Sequence, residues 1–331
     1  MWIRLVPFTV AATLVAGAAV AGQSSPPPAN DDCLACHSDQ ELKRSVGTPV
    51  YVDQGAFDTS KHAALACVDC HADLGSATEF PHADTLEKVK CGSCHDDEAV
   101  KYRDSIHAWA KEKAGLRAAA PACAECHGKH DIRGPADPAS RVLHATIPAT
   151  CGSCHIGIKE RYDVGVHAAA LQKGDTRAPT CIDCHTAHAI QRVETDSWRL
   201  SVTRECGTCH VESQRTFGDT FHGQVTALGF VRVAACADCH GAHDIFSESD
   251  ARSSVSPARL VETCGRCHQG ASASFVRYDP HADRHDRARN PALYAAAQFM
   301  EWLLLGVFAF FGLHTVLWLQ RGIRARGEGR G

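Results

Sequence analysis

All 18 cysteines of this 331-residue chain fall into one pattern, CxxC followed at once by histidine, and the pattern occurs nine times. The runs are Cys33, Cys36 and His37; Cys67, Cys70 and His71; Cys91, Cys94 and His95; Cys123, Cys126 and His127; Cys151, Cys154 and His155; Cys181, Cys184 and His185; Cys206, Cys209 and His210; Cys236, Cys239 and His240; and Cys264, Cys267 and His268. Three chemistries hold thiols in such pairs: a disulfide framework, zinc sites, and covalent attachment of haem. In the third, both sulfurs bond the vinyl groups at one porphyrin edge while the adjacent histidine ligates the iron from below. Disulfides and zinc need no histidine directly after every second cysteine. With 21 histidines in 331 residues, nine such adjacencies do not arise by chance. The pattern therefore predicts nine covalent c-type haems, with the nine motif histidines as proximal iron ligands.

The motifs themselves repeat. CGxCH begins at Cys91, Cys151, Cys206 and Cys264, with the related Cys33 ahead of them, at intervals of 58, 60, 55 and 58 residues. The unit is a two-haem module of that length, and four and a half modules account for nine motifs. Beyond the first motif of a module lies a further histidine: His107, His167 and His222 each come 12 residues after the motif histidine, His281 comes 13 after, and His62 follows a longer insertion. An aromatic stands five residues before three of these, at Tyr102, Tyr162 and Phe217; packing is favoured over redox chemistry by its periodic placement. The second half of a module reads CHxxHxI, with His130 and Ile132, His188 and Ile190, and His243 and Ile245. The first module lacks this histidine, and His82 in FPHAD is a candidate replacement.

Six-coordinate iron needs a second axial ligand, and the periodic candidates number nine: His62, His82, His107, His130, His167, His188, His222, His243 and His281. His144 and His285 are spares that could stand in for His130 and His281. Which histidine serves which motif is open at this level. Methionine is excluded as a ligand in the motif region, because the only two are Met1 and Met300. A second imidazole in place of a thioether lowers haem potential, so low-potential bis-histidine haems are expected.

Residues 1–21 carry Arg4, an apolar stretch from Leu5 to Val20 and the small residues Ala19-Val20-Ala21, the pattern of a cleaved export signal; an uncleaved anchor is the competing reading. Residues 22–30, with Pro26-Pro27-Pro28, read as a linker. From 31 to 290 there is neither a long apolar strand run nor a sustained amphipathic helix, so the polypeptide alone would build little core. The expected fold is mostly α and irregular, short helices and loops packed around nine haems, with one C-terminal transmembrane helix over 291–320. Trp302 to Leu319 is an uncharged run of 18 residues, about 27 Å as a helix. Arg321, Arg324, Arg326 and Arg330 follow in a basic tail, 321–331, which places the C-terminus in the cytoplasm and the haem region in the periplasm; a buried core helix is the alternative. His314 lies inside the apolar run. Intramembrane ionisable groups usually face protein or a cofactor, so a b-type haem or quinol contact is weighed against a neutral imidazole reaching toward the headgroups.

The net charge of -4 grows more negative with haem propionates, and no basic patch lies outside the tail, so nucleic-acid binding is excluded. The acidic run Asp96-Asp97-Glu98 reads as a solvated face, with steering of a basic redox partner as the other option.

On these motifs, CGxCH followed by CxxCHxxH over residues 31 to 285, the chain resembles the exported multihaem c-type cytochromes. The resemblance implies a wire of closely spaced haems that binds no substrate at iron. The terminal segment also resembles the anchor by which such domains join b-type cytochromes in quinol-linked membrane complexes. The implied partners are a membrane b-type cytochrome or other quinol-reactive subunit, and a periplasmic carrier or reductase. The alternative is a multihaem oxidoreductase converting nitrogen or sulfur compounds at one open-coordinated haem; no CxxCK motif, a mark of such catalytic haems, occurs here.

Overall fold

A computed structural model describes residues 26–77 and 79–328. The expected export signal, the start of the linker and the end of the basic tail with Arg330 lie outside the described residues. Short helices joined by turns carry the chain from Asn30 to Asn290. Among the described residues there is no strand, only an isolated bridge between Lys43 and Pro49. The longest helix before the C-terminal one, Asp196–Cys209, has 14 residues.

Little apolar surface is buried by the polypeptide itself. Among the described residues the buried apolar side chains are Ala108, Ile147, Ala168, Ala178, Trp198 and Phe217, too few to hold these residues together by hydrophobic burial alone. Apolar side chains instead stand open beside the motif histidines: Ile156 directly after His155 and Val211 directly after His210 are both exposed. That distribution suits packing against a large apolar group other than the chain.

The chain divides into two compact units. The first ends at Cys94 and also takes in His130–Ile132; the second comprises His95–Lys129 and the chain from Arg133 onward. Within them the same local devices recur. The helices Cys67–Cys70, Cys123–His127, Cys181–His185 and Cys236–His240 each start at the first cysteine of a motif. An acid at the third motif position closes each start by accepting the N–H of the residue before the motif. Ala66 donates to Asp69 at 2.7 Å, Ala122 to Glu125 at 2.7 Å, Thr180 to Asp183 at 2.6 Å and Ala235 to Asp238 at 2.8 Å. After the motif histidine the backbone turns through a positive φ in three of them, at Gly128 (86°), Thr186 (62°) and Gly241 (82°). With ψ near 175°, Thr186 sits in a region that glycine alone occupies without strain.

A second set of helices carries the non-motif histidines: Ile106–Glu112, Val166–Gln172 and Phe221–Ala227. Ser105 and Thr220 cap two of them, accepting from Ala108 and Gly223 at 3.1 Å each. Gly165 precedes the third, where a Cβ would stand 3.1 Å from the carbonyl oxygens of both His243 and Ile245. This close approach reflects a repeated tie. The N–H of Val166 donates to Ile245 at 2.8 Å, that of Ile106 to Ile190 at 2.8 Å, and that of Lys61 to Ile132 at 2.8 Å. The isoleucine that marks each CHxxHxI segment thus anchors, through its carbonyl, the residue just before a histidine of the preceding module.

The periodic aromatics pack, as their placement predicts. The hydroxyls of Tyr102 and Tyr162 donate to the carbonyls of Pro121 at 2.5 Å and Pro179 at 2.8 Å, each two residues ahead of a motif. Phe217 is buried at the corresponding place without such a bond. The last element is one helix, Pro291–Glu328, continuing past the expected end at 320 because Arg321, Arg324 and Arg326 are good helix formers. By length and composition it could cross a membrane: its apolar window has a mean hydropathy of 1.9.

Candidate haem sites

Among the described residues, His37, His71, His127, His155, His185, His210, His240 and His268 each face a different second histidine. His37 faces His82 with ring centres 5.9 Å apart, and His71 faces His130 at 6.3 Å. His127 faces His188 at 5.9 Å, His155 faces His107 at 6.1 Å, and His185 faces His243 at 6.1 Å. His210 faces His167 at 6.2 Å, His240 faces His281 at 6.1 Å, and His268 faces His222 at 6.0 Å. Rings in direct contact would sit closer. Two nitrogen–metal bonds of about 2 Å, extended by about 1 Å from each nitrogen to its ring centre, put the centres roughly 6 Å apart. The separations therefore fit an iron between each pair. Of the remaining candidates, His62 belongs to the first unit and His95 to the second.

The outer nitrogens support this arrangement. Nδ1 of His37 is 2.7 Å from the carbonyl of Val50, and Nδ1 of His82 is 2.8 Å from that of Ala83. With each Nδ1–H donating outward, both rings keep Nε2 as the free lone pair, the usual device by which a metal-binding histidine is oriented. Nδ1 of His281 lies 3.0 Å from the hydroxyl of Thr216. Burial pushes His71, His107, His127, His167, His185, His222, His240 and His243 below the ordinary imidazole range, favouring the neutral form that binds metal. Two rings carry a further aromatic wall: Trp198 lies parallel to His185 at 4.7 Å, and Phe275 stands 4.9 Å from His268.

Within each unit, cysteines of consecutive motifs adjoin. Burial, and then Cys33, pushes the Cys67 thiol up to about 11. The Cys181 thiol raises Cys151, and the Cys206 thiol raises Cys236. Behind burial as the larger cause, Cys70 is raised by Cys94, Cys126 by Cys151, Cys184 by Cys206 and Cys239 by Cys264. Within each unit two kinds of junction occur, first cysteine against first cysteine inside a module, as in Cys33 with Cys67, Cys151 with Cys181 and Cys206 with Cys236, and second cysteine against the next motif between modules. No disulfide joins cysteines among the described residues.

The partnering follows a rule that spacing does not reveal. The second motif of a module faces the CHxxH histidine of the next module, as His71 with His130, His127 with His188 and His185 with His243. The first motif faces a histidine of the preceding module, as His155 with His107, His210 with His167 and His268 with His222. The two ends depart from it. His82 faces His37, the first motif, and does not take the place of a CHxxH histidine. His281, aligned by spacing with His107, His167 and His222, instead faces His240 of the module before it. The spares do other work: His144 pairs with Asp183 at 2.8 Å, and Nε2 of His285 lies 3.3 Å from Nε of Arg284. His314 is exposed on the C-terminal helix. Among the signals that spacing overlooked, Trp198 and the acid at the third motif position were visible as residues but not as roles.

No solved structure matches the chain. A 26 kDa cytochrome c3 of Desulfomicrobium norvegicum (strain DSM 1741 / NCIMB 8310) is 26% identical over 100 residues, 30% of this chain and 75% of that protein. Residues 54–128, which hold three of the motifs, match the family described as cytochrome c7 and related cytochrome c. Together with the paired histidines, these likenesses support a multihaem c-type cytochrome that transfers electrons.

Proposed function

We propose that this chain carries electrons through nine covalently attached, low-potential c-type haems, each iron held between two imidazoles. It would link a quinol- or quinone-reactive membrane partner, such as a b-type cytochrome, to a periplasmic carrier or reductase. The observation that carries this reading is the set of eight motif histidines, each opposite a different histidine at a separation suited to one metal.

When bound, haem supplies a one-electron iron couple. The residues do the rest. In each site the two cysteines would hold the haem covalently, and the motif histidine and the facing histidine would supply imidazole ligands to its iron. With an imidazole on either hand at these eight sites, iron would have no position left for a substrate, which favours transfer over conversion of nitrogen or sulfur compounds. Methionine is confined to Met1 and Met300, which favours low potentials. The cysteine junctions within each unit favour passage between the neighbouring sites they join. The apolar helix Pro291–Glu328 would anchor the chain with its arginines in the cytoplasm and its haem region outside. His314 would then contact a b-type haem or quinol of the partner.

Mass spectrometry and the haem-to-protein ratio of the purified protein should give nine haems per chain. Spectroscopy should give low-spin bis-histidine iron without a methionine–iron band, and titration should give midpoint potentials mostly below zero against hydrogen. A native high-spin haem that binds nitrite or hydroxylamine would sink the electron-carrier reading in favour of an enzyme. Purification in mild detergent should bring a quinone-reactive membrane subunit along.

A further inference from the structure

Three times along the chain, the backbone N–H before a non-motif histidine is covered by the isoleucine carbonyl of the next module: Lys61 by Ile132, Ile106 by Ile190 and Val166 by Ile245. The fourth place in this series is Phe221, directly before His222. The fifth module has no CHxxHxI segment, and among the described residues no carbonyl accepts from Phe221. The side chains around this place change character as well. Phe221 is 75% exposed where Val166 is 38% exposed. Six residues after the histidine, the second and third modules carry Lys113 and Lys173, whereas the fourth carries Leu228, 88% exposed. Phe230 is 52% exposed beside it. The lysines mark this side of the helix as one that faces water rather than porphyrin. Apolar residues in their place are a surface meant to be covered.

We propose that the face formed by Phe221, Leu228 and Phe230 docks the membrane redox partner through an extended aliphatic segment of that partner. The segment takes the position that Ile132, Ile190 and Ile245 take at the three inner junctions. The inner junctions define its chemistry: an aliphatic side chain with a free backbone carbonyl beside it. The hydrocarbon tail of a lipid offers no acceptor, and in a second copy of this chain all three isoleucine segments are already engaged. The apolar character fits a standing complex better than a steered, transient encounter with a soluble carrier. The face also adjoins His222, which faces His268 of the last motif before the C-terminal helix. This inference rests on the electron-transfer reading, and it makes that motif the point of exchange with the membrane partner.

The test uses the full chain in its native membranes. A photoreactive p-benzoylphenylalanine at position 228 should crosslink to an aliphatic segment of a haem- or quinone-binding membrane protein, while the same group at position 173 should not. The double variant Phe221→Ser with Leu228→Lys should keep all haems and full reduction by dithionite. Its reduction by quinol should slow at least tenfold; Leu228→Lys alone, which restores the lysine of the other modules, serves if the double variant loses haem. Crosslinks only to lipid, only to another copy of this chain, or to nothing overturn the proposal, as does an unchanged quinol rate. If quinol fails to reduce even the wild-type haems while dithionite succeeds, the quinol-linked reading itself fails, and the crosslink alone decides what the face binds.

Discussion

The interior of the repeat and its two ends solve the same problem differently. At the junction of the second and third modules, each module lends a histidine to the other: His107 goes forward to His155, and His188 comes back to His127. The junction of the third and fourth repeats the exchange with His167 and His243. At the ends there is no neighbour to lend. His82, two residues after Phe80 in an irregular segment, closes the first motif, and His281, in another irregular segment, closes the eighth. The latter is pinned by side chains that imitate a junction. Asp283 pairs with Arg215, much as Asp244 pairs with Arg161 at 2.7 Å between the third and fourth modules. Exchange joins modules; improvised loops finish the array, as terminal repeats commonly must.

The largest effect that would sharpen this contrast comes from an interior histidine. His188→Ala should leave nine covalent haems but convert the site of His127 to a high-spin, ligand-binding state. It should also lower thermal stability by several kcal/mol, the range associated with losing a metal contact between packed parts. Melting curves and electron paramagnetic resonance measure both. His281→Ala should give a comparable high-spin site at His240, yet a smaller drop in melting temperature, because only a loop is released. Equal losses in the two variants would break the distinction between interior and end.

Sequence already contained much of this. The nine motifs, their spacing, the histidines that face a motif histidine at eight places and the shortage of apolar core among the described residues all follow from spacing and composition. The exchange did not, for a physical reason. A histidine 12 residues after a motif could fold back on its own module or reach the next one, and periodicity is the same in both cases. His281 misled for the same cause: its spacing matches His222, but the missing half-module leaves His240 to be closed by whatever follows. His144 was a reasonable spare by residue type, yet it occupies the place where the next module has Arg199, which pairs with Asp238 at 3.3 Å. Its role is to hold the acid of a motif, a partnership that only becomes visible once the two are seen together.

Smaller effects test the local devices. Tyr162→Phe removes the bond to Pro179 and should cost about 1 kcal/mol in chemical denaturation, leaving the haem spectrum unchanged. Phe217, at the equivalent place in the next module, shows that the fold accepts the loss. Thr186→Gly should do the opposite and stabilise by about 1 kcal/mol, since its two counterparts, Gly128 and Gly241, occupy the same backbone region without strain. A destabilised Thr186→Gly protein would mean that the threonine side chain does something its counterparts do not.

The mutual lending of histidines also orders the making of the protein in time. A polypeptide grows from its amino end, so the histidine facing His155, His210 or His268 already exists when that motif is made. The motifs of His71, His127 and His185 must wait, because their facing histidines belong to a module not yet synthesised. Those motif histidines thus stand without a facing partner during biogenesis until the following module arrives. A chain halted between modules would carry its unfinished site at the growing edge, with the motif histidine there still waiting for its facing partner.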